Sequence, residues 1–171
     1  MVAKLKMMSF EIDLIKHKNL KEEELLEICK VKSISWKYFL YEHRRWINDN
    51  INEEDLHFCL KNKLKTIGYL NLVKRKLKIN NVIYDIWGVG NVCASEKGTG
   101  IGKELMNRLN VFFNNKKCYS LLLCKDSLID FYKKFGWKVI YRSEKVNYMI
   151  NENLYKNVKK IEQVELIGKE F

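Results

Sequence analysis

The 171-residue sequence contains no proline, which excludes a proline-rich stalk or linker. No apolar run approaches the ~18 residues that span a bilayer, so no membrane partner is expected. Residues 1–10, Met-Val-Ala-Lys-Leu-Lys-Met-Met-Ser-Phe, lack the long apolar core and small-residue cleavage site of a secretory leader, and a cytoplasmic location is expected. The five cysteines (Cys29, Cys59, Cys93, Cys118 and Cys124) are odd in number and form no Cys-x-x-Cys pair. That argues against a closed disulfide framework and predicts reduced, buried thiols. His17, His43 and His57 show no metal-ligand spacing, so no metal is expected. Tandem repeats and Gly/Ser-rich linkers are also missing. One domain over residues 1–171 is expected, with 151–171 readable as a C-terminal extension.

Against these absences stand a hydrophobic content of 47% and a charged content of 31%. A domain of this length buries roughly 70% of its unfolded surface, enough for a substantial core. The formal net charge is +11, and the excess is nearly all lysine spread along the chain. Its densest cluster, Lys74-Arg75-Lys76-Leu77-Lys78, falls between two strand-like runs and reads as a solvated hairpin. A positive field draws polyanionic ligands in general. A basic nucleic-acid-binding module therefore stands as the lesser functional alternative.

Alternation predicts a strand over residues 10–15, from Phe10, Ile12 and Leu14. Helices are predicted over residues 21–30 and 35–47, with Glu22, Glu23 and Glu24 in the first turn of the former. Residues 56–60 and 66–73 read as strands. Residues 82–93 form the longest apolar run, predicted to be a central strand covered on both sides. Gly88 and Gly90 within it are candidate bulge sites. A helix is predicted over 100–115 and a buried strand over 119–124. Another helix follows over 127–135, with Ser127 and Asp130 at capping-box spacing and Gly136 at its C-terminal stop. Strands over 137–141 and 146–150 close the pattern, and the last twenty residues fit helix or strand equally. This mixed order predicts an α/β or α+β sheet with helices packed on it.

With only 8 glycines in the chain, their clustering is informative. Three of them sit at alternate positions in Lys97-Gly98-Thr99-Gly100-Ile101-Gly102, between the long strand and a helix. Glycines let backbone approach a ligand closely, and a helix start offers unpaired N–H groups and partial positive charge. Together they suit a pyrophosphate, with Lys97 and Lys103 adding formal charge. The dinucleotide fingerprint does not fit, because Lys103 stands where its last glycine belongs. The P-loop does not fit either, because Lys97 and Glu104 occupy its required positions.

This segment resembles the pyrophosphate motif of the GNAT superfamily of acyl-CoA N-acetyltransferases, Arg/Gln-x-x-Gly-x-Gly/Ala, with Lys97 a mild departure. A second family motif, a helix ending in Tyr-x-x-x-Gly-Phe, is matched by Tyr132-Lys133-Lys134-Phe135-Gly136-Trp137, with Trp137 in the final place. The likeness is good over about residues 80–142 and rests on element order alone before that. A fainter likeness is to the aminoglycoside 2′-N-acetyltransferase branch.

The resemblance implies a GNAT-like fold with a central mixed sheet of about six to seven strands and about four helices. It implies acetyl-CoA as cosubstrate and a primary amine, small-molecule or protein-borne, as acceptor. Homodimer formation through C-terminal strands is common among such relatives. Backbone groups of Asn91, Val92 and Cys93 would meet pantetheine and the thioester carbonyl. Lys97, Gly98, Thr99, Gly100, Ile101, Gly102 and Lys103 would hold the pyrophosphate. Tyr132 takes the place of the general acid that protonates the departing thiolate. Asp85, the carboxylate within the long strand, is a candidate general base if buried, with a water chain to solvent as the alternative. Trp36, Tyr38, Tyr41, Trp87, Tyr141 and Tyr148 are aromatic candidates for acceptor recognition, and the acidic runs 22–24 and 53–55 are candidates to attract a cation. A non-catalytic acyl-CoA-binding domain is the main rival reading.

Overall fold

The longest apolar run forms a strand of Val82–Ala94, and the sheet is organised around it. The computed structural model describes residues 10–171. All but the last residue of the N-terminal segment read above for a leader lie outside the described residues. In chain order the strands are β1 (Phe10–Lys16), β2 (Leu56–Asn62), β3 (Lys65–Ile79), β4 (Val82–Ala94), β5 (Ser120–Cys124), β6 (Lys138–Arg142), β7 (Asn147–Ile150) and β8 (Val164–Ile167). The helices are α1 (Glu22–Ser35), α2 (Leu40–Asn50), α3 (Ile101–Lys116), α4 (Ile129–Lys133) and α5 (Glu152–Tyr155). The sheet has 8 strands in the order β1-β2-β3-β4-β5-β7-β6. β8 pairs with β3 at Lys76–Ile79, beyond the reach of β2. The extra strand relative to expectation thus comes from residues 151–171, which are joined to the same sheet. Only β4 and β5 run parallel among the described pairs.

Unbroken burial of β2 from Leu56 to Leu60 follows from helices on both faces. Phe58, Leu60, Leu70 and Leu72 pack with Leu105, Leu109 and Phe113 of α3. The intervening Cys59 and Tyr69 pack with Leu25, Ile28 and Cys29 of α1 and Ile47 of α2. Each fully buried large apolar side chain contributes about 1.5–3 kcal/mol. A third cluster joins Leu77, Ile79, Ile86, Leu121 and Ile150 to Leu154 of α5, with Phe171 against it.

Several local expectations change. α1 continues to Ser35, five residues past the predicted end, because Val31 and Lys32 extend its buried face. α2 begins at Leu40 rather than Ser35. Residues 36–39 precede it as a non-helical link, and the Glu42 carboxylate accepts the Phe39 N–H at 2.8 Å. The lysine-rich 74–78 segment is the second half of β3, not a hairpin loop. Lys74 and Lys76 face solvent while Leu77 and Ile79 are buried, so its three lysines occupy one face of a strand and Arg75 the other. The turn comes after it, with Asn80 at φ +53. β4 is not covered along its whole length, since Val82 and Ile83 are more than half exposed beyond the helices. The predicted Ser127 cap is replaced by a 3-10 turn over Asp126–Leu128, and α4 starts with no side-chain cap. Gly136 holds φ +83 just past α4, as a C-terminal glycine should.

Candidate active site

β4 changes character halfway along. Trp87, Gly88 and Val89 pair with Ser120, Leu121 and Leu122 of β5, and the parallel pairing stops there. Leu123 and Cys124 continue instead along β7. On its other side the register with β3 slips: Asn71 faces Gly90, yet Tyr69 faces Cys93. Asn91 and Val92 together stand opposite Leu70 in a bulge of one extra residue, and neither has a paired partner in β3 or β5. Asn91 adopts φ +53, a left-handed conformation that asparagine tolerates better than most residues. Its Nδ2 donates to Asn71 Oδ1 at 2.6 Å. The bulge therefore lies at Asn91, not at Gly88 or Gly90. Gly88 serves a close approach instead: a Cβ there would sit 2.5 Å from the Phe171 ring.

At the end of β4 the chain enters the glycine loop. Gly98 and Gly100 have φ +77 and +86, and Gly100 is the N-cap of α3. A Cβ at either would have nothing within 4 Å, so open space adjoins both. The first helical bond is Glu104 N–H to the Gly100 carbonyl at 3.0 Å. The amides of Ile101, Gly102 and Lys103 have no acceptor among the described residues, as a helix start requires. Lys97, Thr99 and Lys103 are exposed around them, and Gly102 faces Phe131 at ordinary contact distance.

A cavity of about 590 Å³ opens beside the bulge. One wall is Val89, Gly90, Asn91 and Val92 of β4, and α1, α2 and their link supply Lys32, Trp36, Tyr38, Glu42, His43 and Trp46. Leu123, Leu128, Tyr132 and Phe171 complete it. Tyr132 is 6% exposed, and burial pushes its phenol well above the ordinary range. The hydroxyl is therefore protonated at any physiological pH and is available as a donor. Burial lowers the His43 pKa, so this imidazole is predominantly neutral near pH 7. Its Nε2 lies 3.1 Å from the Trp36 carbonyl. A carbonyl only accepts, so Nε2 carries the proton and Nδ1 the lone pair.

Asp85 is not buried. Its side chain is 86% exposed and bonds Lys76 Nζ at 2.7 Å, on the part of β4 that extends past the helices. It lines a separate cavity of about 330 Å³ with Trp87, away from Tyr132. Of the aromatic candidates, Trp36 and Tyr38 line the main cavity. Tyr41 lines a small cavity between α1 and α2, and Tyr141 and Tyr148 pack edge-to-face on each other at 5.3 Å. The acidic runs are engaged elsewhere: Glu22 pairs with Arg44, Glu54 with Lys16 and Lys18, and buried Asp55 accepts the Lys74 N–H at 2.8 Å. Cys93 pairs with Tyr69 in the sheet, and burial raises its thiol to about 12. A thiolate nucleophile there is disfavoured. Sequence reasoning missed Lys32, Asn71 and Phe171 as parts of this site. Among the described residues no cluster of three or more His, Cys, Asp or Glu could hold a metal, and no helix is long and apolar enough to cross a membrane.

No family model matches the sequence, and no curated protein matches it. Solved structures do. Escherichia coli ElaA superposes with a TM-score of 0.61 at 17% identity, covering 84% of this chain and 100% of ElaA. PaiA N-acetyltransferase from Thermoplasma acidophilum, solved in complex with coenzyme A, gives 0.56 at 18% identity over 82% of this chain and 98% of its own. A GNAT family acetyltransferase from Brucella melitensis, solved with acetyl-CoA, gives 0.57 at 14% identity over 91% and 94%. The chain has the GNAT fold. Within that fold, residues 97–100 form the turn from β4 into α3, and residues 132–137 span the end of α4 and the turn before β6.

Proposed function

We propose that this chain is an N-acetyltransferase that moves an acetyl group from acetyl-CoA directly to a primary amine. The reading is carried by one combination: a bulged β4 left unpaired at Asn91–Val92 leads into a helix start whose amides and flanking glycines are open. The first feature offers backbone hydrogen bonds to an extended amide-bearing chain. The second suits a diphosphate. Two of the similar structures were solved in complex with coenzyme A or acetyl-CoA, which supports the same ligand here.

Acetyl-CoA supplies the activated acyl carbon when bound. Loop residues 97–103 would hold its pyrophosphate, with Lys97 and Lys103 as counter-charges. Unpaired backbone N–H groups at the bulge would meet charge developing on the thioester oxygen, an effect of ~3 kcal/mol for one well-placed donor. As the C–N bond forms and the C–S bond breaks, Tyr132 gives its proton to the departing sulfur. The amine's proton passes to water in the cavity or to His43 Nδ1, and Asp85 plays no part.

Release of free thiol on incubation with acetyl-CoA and a panel of amines tests the reading, alongside calorimetry with CoA. Thiol release that depends on the amine supports it. Tight CoA binding without turnover on any amine would instead favour a non-catalytic acyl-CoA-binding domain. Binding of DNA or RNA that falls steeply with salt, with no response to CoA, would favour the nucleic-acid alternative.

A further inference from the structure

We propose that Lys32 recognises an anionic group on the acceptor, so that the amine acetylated here carries a carboxylate on the same small molecule. This deepens the acyl-transfer reading and rests on it.

Lys32 lies on the buried face of α1 and is only 2% exposed, yet it lines the main cavity. Its Nζ sits 4.1 Å from the centroid of the Trp46 ring. Among the described residues it has no hydrogen-bond or ion-pair partner. Nor is it one of the partnerless polar atoms sealed from solvent, which are Asn71 Nδ2, Ser120 Oγ and Trp137 Nε1. The ammonium therefore opens into the cavity while the alkyl stem is covered. A buried charge without a partner is costly, and a site retains one most readily where a ligand supplies the counter-charge. Burial brings the Lys32 pKa down to about 8, which still leaves the side chain mostly cationic at pH 7.

Glu42 is the lining carboxylate, but one of its oxygens is engaged by the Phe39 N–H at the start of α2. Lys32 is the cation of the lining, and it shares the cavity with Glu42 without pairing to it. A carboxylate on the acceptor finds a charge-assisted hydrogen bond at Lys32. Trp36, Tyr38 and Trp46 supply an apolar wall for the body of the same molecule. Lys32 and the Asn91–Val92 bulge share one cavity of about 590 Å³, so one amino-acid-like molecule can address both with its two ends.

The test uses matched pairs, phenylalanine with phenethylamine and tryptophan with tryptamine, on the wild-type chain, Lys32→Met and Lys32→Arg. In the wild type, kcat/KM for the carboxylate-bearing member should exceed that of its twin by about 10-fold or more. In Lys32→Met the gap should collapse, mainly through KM, while Lys32→Arg should restore much of it. Thermal melting confirms that each variant folds. Equal rates within each pair, or a preference that survives in Lys32→Met, would overturn the proposal. Absence of thiol release with every amine would count against acyl transfer instead. Calorimetric titration of the same pairs then decides the role of Lys32: carboxylate-dependent binding lost in Lys32→Met supports it, and indifferent binding overturns it.

Discussion

Asn91 Nδ2 donates to Asn71 Oδ1 at 2.6 Å, tying the bulge of β4 to the buried interior of β3. Asn71 is fully buried, and its own Nδ2 has no partner. One hydrogen bond thus fixes the residue whose left-handed backbone breaks the β4 ladder. Asn91→Gly should retain the fold while loosening the bulge, because glycine accepts φ +53 but cannot make the bond. Asn91→Val should cost about 1–2 kcal/mol of stability for the left-handed backbone alone. Denaturant unfolding of the two variants checks the order, and both should lose turnover in the thiol-release assay.

Tyr132→Phe removes the proposed acid while keeping the ring in the core. Turnover should fall on the order of 100-fold with the melting temperature nearly unchanged. A variant as fast as wild type, melting at the same temperature, would remove Tyr132 from the chemistry.

Gly100→Ala places a Cβ on a residue at φ +86, at a cost of about 1–2 kcal/mol, with no steric contact to aggravate it. The loop should shift, and the apparent affinity for acetyl-CoA should drop by about 10-fold, since each 1.4 kcal/mol is tenfold. Lys97→Glu together with Lys103→Glu should weaken acetyl-CoA binding further at low salt than at high salt, because these side chains are exposed and screened. Calorimetry at two ionic strengths measures both effects.

His57 offers a test of the fold away from the cavity. Its ring lies 3.0 Å from His17 Nδ1 and 2.9 Å from Tyr69 Oη, and burial lowers its pKa from 6.5 to about 3. Below pH 6.5 the unfolded chain binds the proton and the folded chain resists it, so stability should fall as pH drops towards 3. This group alone should contribute a slope of up to ~1.4 kcal/mol per pH unit, and nothing further above pH 6.5. Urea unfolding from pH 7.5 to 5 should show a steeper decline for the wild type than for His57→Phe.

The local geometry legible in the sequence is that of turns where the backbone restricts residue choice. Gly98, Gly100 and Gly136 occupy positive φ, and such positions leave a mark in the sequence. The bulge at Asn91 leaves a weaker one, because asparagine is also common in ordinary turns, and the neighbouring glycines drew attention away from it. Asp85 was misjudged because strand patterning cannot show where covering helices stop. Lys32 was hidden for a related reason: its burial depends on Trp46 from another helix. The 74–78 segment looked like a loop because lysines on one strand face mimic solvated turn chemistry. Nothing in residues 151–171 revealed that a strand there pairs with β3, since that partner lies about 90 positions earlier.

The ring of Phe171 seated against Gly88 has a practical corollary. Phe171 also lines the main cavity, so chain that continues past residue 171 starts at its wall, and an affinity handle or fluorescent reporter placed there would crowd the space beside the bulge. Low rates from such a preparation would describe its linker, and kinetic work calls for a handle at the other end or one cleaved away.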